Sequence, residues 1–206
     1  MVYTTHLAGA LSGASLRQLS HWRHTGVLSA ERSTQTRVFY SFRDVVALRT
    51  FVYLRQDTSL QKIRIAIGTL HEIGQVEHLS SYRLVSTAKT IALVQGQQAV
   101  DLVRRPGNEI LVDMVDVLKP FETETGWRVL NLRRPYPEIT VDPAMRGGHP
   151  VVRSTRVPFE LVAGLLEDEV APEAISAFYP SVTAEGARDA LRFSRYVAGV
   201  DAHDVA

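Results

Sequence analysis

Ser15-Leu16-Arg17-Gln18-Leu19-Ser20-His21-Trp22-Arg23-His24-Thr25-Gly26 is followed closely by Arg32-Ser33-Thr34-Gln35-Thr36-Arg37-Val38-Phe39-Tyr40. The first stretch opens with a capping-box pattern, Ser15 with Gln18 three residues on, and Gly26 supplies a stop. Leu16, Leu19 and Trp22 or Arg23 follow helical spacing and predict the edge that faces a core. Arg17, Gln18, His21 and His24 fall at i, i+1, i+4 and i+7, which predicts one outward polar face. The second stretch reads as a polar hairpin. Arg32 and Arg37 flank a tip of short polar residues suited to a sugar-phosphate backbone, and Tyr40 adds a hydroxyl. Arginine can donate two hydrogen bonds to guanine, and glutamine can pair with adenine. A short capped helix beside a basic loop is the minimum equipment of a winged helix that reads double-stranded DNA.

The flanking sequence fits that reading. Thr5 is positioned to cap a short helix through Leu11, with Gly13 in the turn, so two helices in helix-turn-helix proportion are expected. Ser41 with Asp44 is a second capping box and opens a helix to about Arg55 carrying Val45, Val46, Leu48, Val52 and Leu54. Ser59 caps a further helix with a stripe of Leu60, Ile63, Ile67 and Leu70. Past residue 80 the texture changes. Ile91–Val94, Ala99–Val103 and Ile110–Val115 are short β-rich runs separated by Gly96 and Pro106-Gly107-Asn108, which predicts a small antiparallel sheet. From 137 onward, Gly147-Gly148-His149-Pro150 is a turn, Val151-Val152-Arg153 a short strand, and Pro158, Pro172 and Thr183 open three helices. The fold class expected is α+β, mainly α. It comprises an N-terminal winged helix-turn-helix (1–78), a β-rich linking or dimerisation region (79–135), and a C-terminal three-helix domain with a tail (136–206).

Composition narrows the function. The chain has 206 residues, 45% hydrophobic and 22% charged, enough for a real core. It has no cysteine, which excludes a disulfide framework and any thiolate metal site. No apolar run approaches the roughly twenty residues of a membrane span, and the N-terminus lacks signal-peptide character, so a cytoplasmic location without a membrane partner is expected. The net charge of +1 conceals an asymmetry: residues 1–75 hold nine Lys+Arg and four Asp+Glu, while the rest hold fourteen and eighteen. A basic front suits a polyanion, and an acidic back end suits a different partner. There is no Gly-rich phosphate loop, no H-E-x-x-H and no G-x-S-x-G. His71, Glu72, Glu77 and His78 read as solvated surface because Gly74 lies between them. No enzyme, cofactor or metal is expected.

Two resemblances sharpen these expectations. Leu7-Ala8-Gly9, Gly13-Ala14-Ser15, Leu19-x-x-Trp22, Gly26-Val27-Leu28, Arg32, Arg37-Val38-Phe39-Tyr40-Ser41, Asp44-Val45, Leu48 and Ser59-Leu60-Gln61-Lys62-Ile63 resemble the MerR-type winged helix over about residues 4–73. The likeness implies groove or backbone contacts from Arg17, His21, Arg23, Arg37 and Tyr40. The long coiled coil through which MerR regulators dimerise does not carry over. Gly68 and Gly74 interrupt the candidate helix, and β-like sequence follows.

Ile139-Thr140-Val141-Asp142-Pro143, Gly147-Gly148-x-Pro150-Val151-Val152-Arg153-x-Thr155-Arg156-Val157-Pro158 and Phe178-Tyr179-Pro180-x-Val182-Thr183-x-Glu185 resemble a small domain of bacterial VapB-type antitoxins over about 136–197. The usual form has Gly where this chain has Ser154. The resemblance implies neutralisation of a PIN-domain endoribonuclease and repression of the chain's own operon. A homodimer is expected from the short recognition helix, which alone would read few base pairs, and from two-fold operators being the common solution. An arginine set among the ribonuclease carboxylates would displace metal or substrate, and Arg133, Arg134, Arg153 and Arg156 are the candidates. For Arg153 and Arg156 an internal tether in the turn is the competing reading. A stand-alone MerR-type regulator, with residues 80–200 binding a small effector, is the alternative function. An adaptor whose winged helix binds protein is a third.

Overall fold

The computed structural model describes residues 3–25, 32–33, 38–56, 58–72, 83–86, 91–95, 98–103 and 117–200. Helix α1 (Thr5–Ser12) begins one residue earlier than expected. The Thr4 hydroxyl, not Thr5, accepts the Leu7 amide at 3.3 Å. It ends at Gly13, whose φ of 84° is left-handed and where an added Cβ would stand 2.5 Å from a Val129 methyl. Both facts demand glycine. Helix α2 (Leu16–His24) opens on the reciprocal box expected: the Ser15 amide donates to Gln18 Oε1 (3.0 Å) and the Gln18 amide to Ser15 Oγ (3.2 Å). Its C-cap is Thr25, and Gly26 lies outside the described residues.

Strands β1 (Arg32–Ser33) and β2 (Val38–Phe39) pair antiparallel, Arg32 opposite Phe39. Helix α3 (Phe42–Arg55) starts on the Ser41–Asp44 box (2.7 and 3.1 Å) and ends where expected. Helix α4 (Leu60–Glu72) follows Ser59, whose hydroxyl accepts the Lys62 amide at 3.3 Å. Strands β3 (Arg83–Ser86), β4 (Ile91–Gln95) and β5 (Gln98–Asp101) form an antiparallel sheet in that order. The runs at 91 and 99 were legible, β3 was not, and the run at 110–115 lies outside the described residues.

The remaining chain adds two short strand pairs, β6 (Phe121–Glu122) with β7 (Arg128–Val129) and β8 (Ile139–Thr140) with β9 (Val151–Val152). Helices α5 (Phe159–Glu167) and α6 (Ala184–Ala198) follow, α6 capped by Thr183 as expected. The segment opened by Pro172 is a 3-10 helix, Pro172–Ala177, rather than the α-helix expected. Proline at its start and Pro180 just beyond leave no room for a second α-helical turn. Ser154 has φ 60°, the left-handed conformation that explains glycine in the usual form of this motif.

The core runs continuously across positions 78 and 135. Trp22 meets Phe51 edge-on at 4.5 Å, Phe159 meets Phe193 at 4.6 Å, and both belong to one buried cluster. The two ends of the chain are joined by hydroxyls. Tyr3 Oη donates to the Gly148 carbonyl at 2.5 Å, and Tyr196 Oη lies 3.1 and 3.0 Å from the Ala10 and Arg128 carbonyls.

At the centre stands Arg49 of α3, fully buried. Its Nη1 donates to the Leu11 carbonyl at 2.6 Å, Nη2 to Lys119 and Leu130 carbonyls at 2.7 Å each, and Nε to the Val117 carbonyl. Its guanidinium carbon lies 5.0 Å from the centre of the Phe121 ring. The Leu11 carbonyl is one of the terminal acceptors that α1 cannot satisfy internally.

Three outcomes are expected. Arg49→Met leaves several carbonyls without donors and should cost more than about 3 kcal/mol in urea unfolding. Ser154→Gly relieves a left-handed residue and should raise stability by about 1 kcal/mol. Burial pushes the Tyr196 hydroxyl up to about 12 and raises that of Tyr3 as well. Because the folded values exceed the unfolded value near 10, this stability is complete below about pH 10 and is lost as pH rises above it. The urea midpoint should fall above pH 10, and less steeply in Tyr196→Phe.

Candidate nucleic-acid interface

Helix α2 presents the two edges its spacing implies. Leu19 and Trp22 are buried, while Arg17, Gln18, His21, Arg23 and His24 are exposed. Not all of these side chains are equally available. Gln18 Oε1 accepts the Ser15 amide, which orients the exposed side chain; its amide nitrogen and a second lone pair on Oε1 are not used by that bond. His24 Nδ1 donates to the Ser20 carbonyl at 2.7 Å, which fixes its ring and leaves Nε2 outward. Arg17, His21 and Arg23 carry the exposed donor character of the helix.

Tyr40 does not sit where the sequence reading put it. Its backbone bridges Tyr3 through hydrogen bonds of 2.8 and 3.1 Å, and the residue is 4% exposed. Burial raises its pKa, offset by the Arg23 charge and reinforced by that of Asp44. Tyr40 is buried in the core. Arg32 lies in β1, and Arg37 lies outside the described residues.

A neighbour that the sequence reading missed completes this edge. The β6–β7 hairpin, turned by Gly126 at φ 80°, brings Thr123 and Glu124 against the head of α2. They enclose, with Arg17, Gln18, Trp22 and Arg55, a cleft of about 250 Å3. The hairpin is firmly placed. The Gln56 side chain donates to the Glu122 carbonyl, Phe121 meets Tyr53 edge-on at 5.4 Å, and Thr123 Oγ1 accepts the Trp127 amide at 3.1 Å. Arg55 was legible only as the end of a helix, because its neighbours come from a segment far along the chain.

The C-terminal arginines divide into two pairs. Arg153 pairs with Glu138 at 3.6 Å, and Arg134 Nε donates to the Pro137 carbonyl at 3.0 Å. All four arginines are exposed. The internal tether of the turn is Thr155. Its hydroxyl donates to the Val152 carbonyl at 2.7 Å and accepts the Val157 amide at 3.0 Å. The Glu138 amide is fixed separately by buried Asp189 at 3.0 Å. Among the described residues no group of three or more His, Asp or Glu side chains could hold a metal ion, and no helix is long and apolar enough to cross a membrane.

Because Ser15 anchors both halves of its box, Ser15→Ala should lower stability by about 1 kcal/mol in thermal unfolding. The backbone amide of residue 15 stays in that variant, so its bond to Gln18 Oε1 should persist.

Comparison with known proteins agrees with this geometry. The model of the MerR HTH family of regulatory proteins matches residues 3–67, and that of a protein family of unknown function, DUF433, matches residues 139–194. No curated protein matches the chain. The X-ray crystal structure of Rv2018 from Mycobacterium tuberculosis is similar in fold, with a TM-score of 0.56 and 16% identity over 92% of this chain and 96% of that one. The chain thus carries a MerR-family helix-turn-helix domain at its N-terminus and a DUF433 domain at its C-terminus.

Proposed function

We propose that this chain is a transcription regulator that grips operator DNA with α2 and a basic wing at residues 32–39, and that it represses its own operon as a homodimer in the cytoplasm. The observation that carries this reading is the exposed edge of α2 bearing Arg17, His21 and Arg23 opposite buried Leu19 and Trp22. A helix this short reads few base pairs, and a two-fold operator is the common remedy. The C-terminal half acts as an antitoxin against a PIN-domain endoribonuclease. Support for that half is the order of its motifs from Ile139 to Glu185 and the acidic balance beyond residue 75. All four arginines are exposed; Arg133 and Arg156 are then the better toxin contacts, because Arg134 and Arg153 also meet Pro137 and Glu138 within the chain.

A second reading is a regulator that answers to a small effector, and the cleft beside Arg17 favours it. A tight metabolite ligand, with no protein partner, would select it.

DNA titrations at several salt concentrations test the first half. Affinity should fall steeply with salt. Arg17→Ala should lower the preference for operator over random DNA by about tenfold or more, while Arg37→Ala should weaken both alike. Unchanged affinity in both variants would show that another face meets DNA. For the second half, a small ribonuclease should co-purify with the tagged chain in stoichiometric amount and be inhibited by it. Its absence would remove the antitoxin reading.

A further inference from the structure

Helix α5 carries a surface that nothing in the fold explains. Leu161 is 53% exposed, and Phe178, at the end of the 3-10 helix that packs on α5, is 54% exposed. Large apolar side chains left open on a well-packed domain mark contact surfaces when they cluster with other apolar groups. Leu161, Gly164 and Leu165 stand at i, i+3 and i+4, so they share one face, and Leu165 is only partly covered.

Gly164 is the decisive residue. It sits in mid-helix, its φ is not left-handed, and a Cβ added there would meet nothing within 4 Å. Neither a turn nor an internal neighbour requires glycine, yet glycine weakens a helix relative to alanine. The missing side chain leaves a notch between two leucines, into which another backbone can come close.

The charge around the notch selects the occupant. Between Pro158 and Phe178 the sequence has Glu160, Glu167, Asp168, Glu169 and Glu173 and no lysine or arginine. All five are exposed. Some are matched internally: Glu160 with His149 at 2.8 Å, Glu173 with Arg188, and Glu167 with the Ser194 hydroxyl at 3.2 Å. A second copy seated on this face would bring two such acidic rims together and be repelled.

We propose that the Leu161–Gly164–Leu165 face of α5 docks an amphipathic helix of a partner protein whose apolar row is bordered by lysine or arginine. The proposal requires neither the DNA reading nor that the partner be a ribonuclease. It assigns recognition of that partner to an acidic, notched apolar helix.

The test uses the full chain and two synthetic helical peptides that share one leucine face, one flanked by lysines and the other by glutamates. The lysine peptide should bind and shift amide resonances of residues 159–178, and the glutamate peptide should bind at least about tenfold more weakly. Gly164→Met fills the notch and should reduce lysine-peptide affinity by about tenfold or more. Its thermal midpoint should be unchanged or higher and its operator affinity unchanged, since the position is open within the chain. No binding of the lysine peptide at this face, or equal binding to Gly164→Met, would overturn the proposal. Self-association of the wild-type chain that Gly164→Met abolishes in sedimentation would overturn it as well, in favour of a second copy.

Discussion

The buried guanidinium of Arg49 organises this molecule. A charge without water is costly unless its donors are satisfied, and here they meet the carbonyls of Leu11, Val117, Lys119 and Leu130. Only a planar group with several donors can serve acceptors on three separate stretches of chain. The result fastens the end of α1, the middle of α3 and the strap of residues 117–130 to one another. Phe121 lies over the same guanidinium, and through it the β6–β7 hairpin is set beside the head of α2. The cleft at Arg17 is therefore a consequence of Arg49.

The tyrosine hydroxyls complete the join. Tyr3, near the start of the chain, reaches the Gly148 carbonyl, and Tyr196, near its end, reaches the carbonyls of Ala10 and Arg128. Tyr196 also stacks on Trp127 at 4.8 Å. A helix-turn-helix and a DUF433 domain that look separable in sequence thus share one core. The exposed edge of α2 and the acidic face of α5 are carried by the same packed body.

What the sequence discloses depends on range. Ser15–Gln18, Ser41–Asp44 and Thr183 were legible because a cap is a hydrogen bond over three residues, written locally. Leu19 and Trp22 were legible by helical spacing. Arg49 was not. On α3 it stands among apolar positions and looks like a surface cation, since its acceptors lie on segments far away in the chain. The hairpin beside Arg17 was hidden for the same reason. The burial of Tyr40 was not legible, since a hydroxyl next to arginines suggests phosphate and its bridge partner Tyr3 lies far back in the chain. Gln18 serves the cap through Oε1. Ser154 was noticed only as a departure from a motif, and its positive φ supplies the physical reason.

Native-state hydrogen exchange along the full chain tests the central claim, that Arg49 and the two tyrosines make one cooperative unit. The slowest amides of α3, around Leu48 and Phe51, and those of α6, around Ala190 and Phe193, should report the same opening free energy and the same dependence on urea. If the α3 amides opened at a clearly lower free energy than those of α6, the DNA-facing part would unfold by itself, contradicting the shared core.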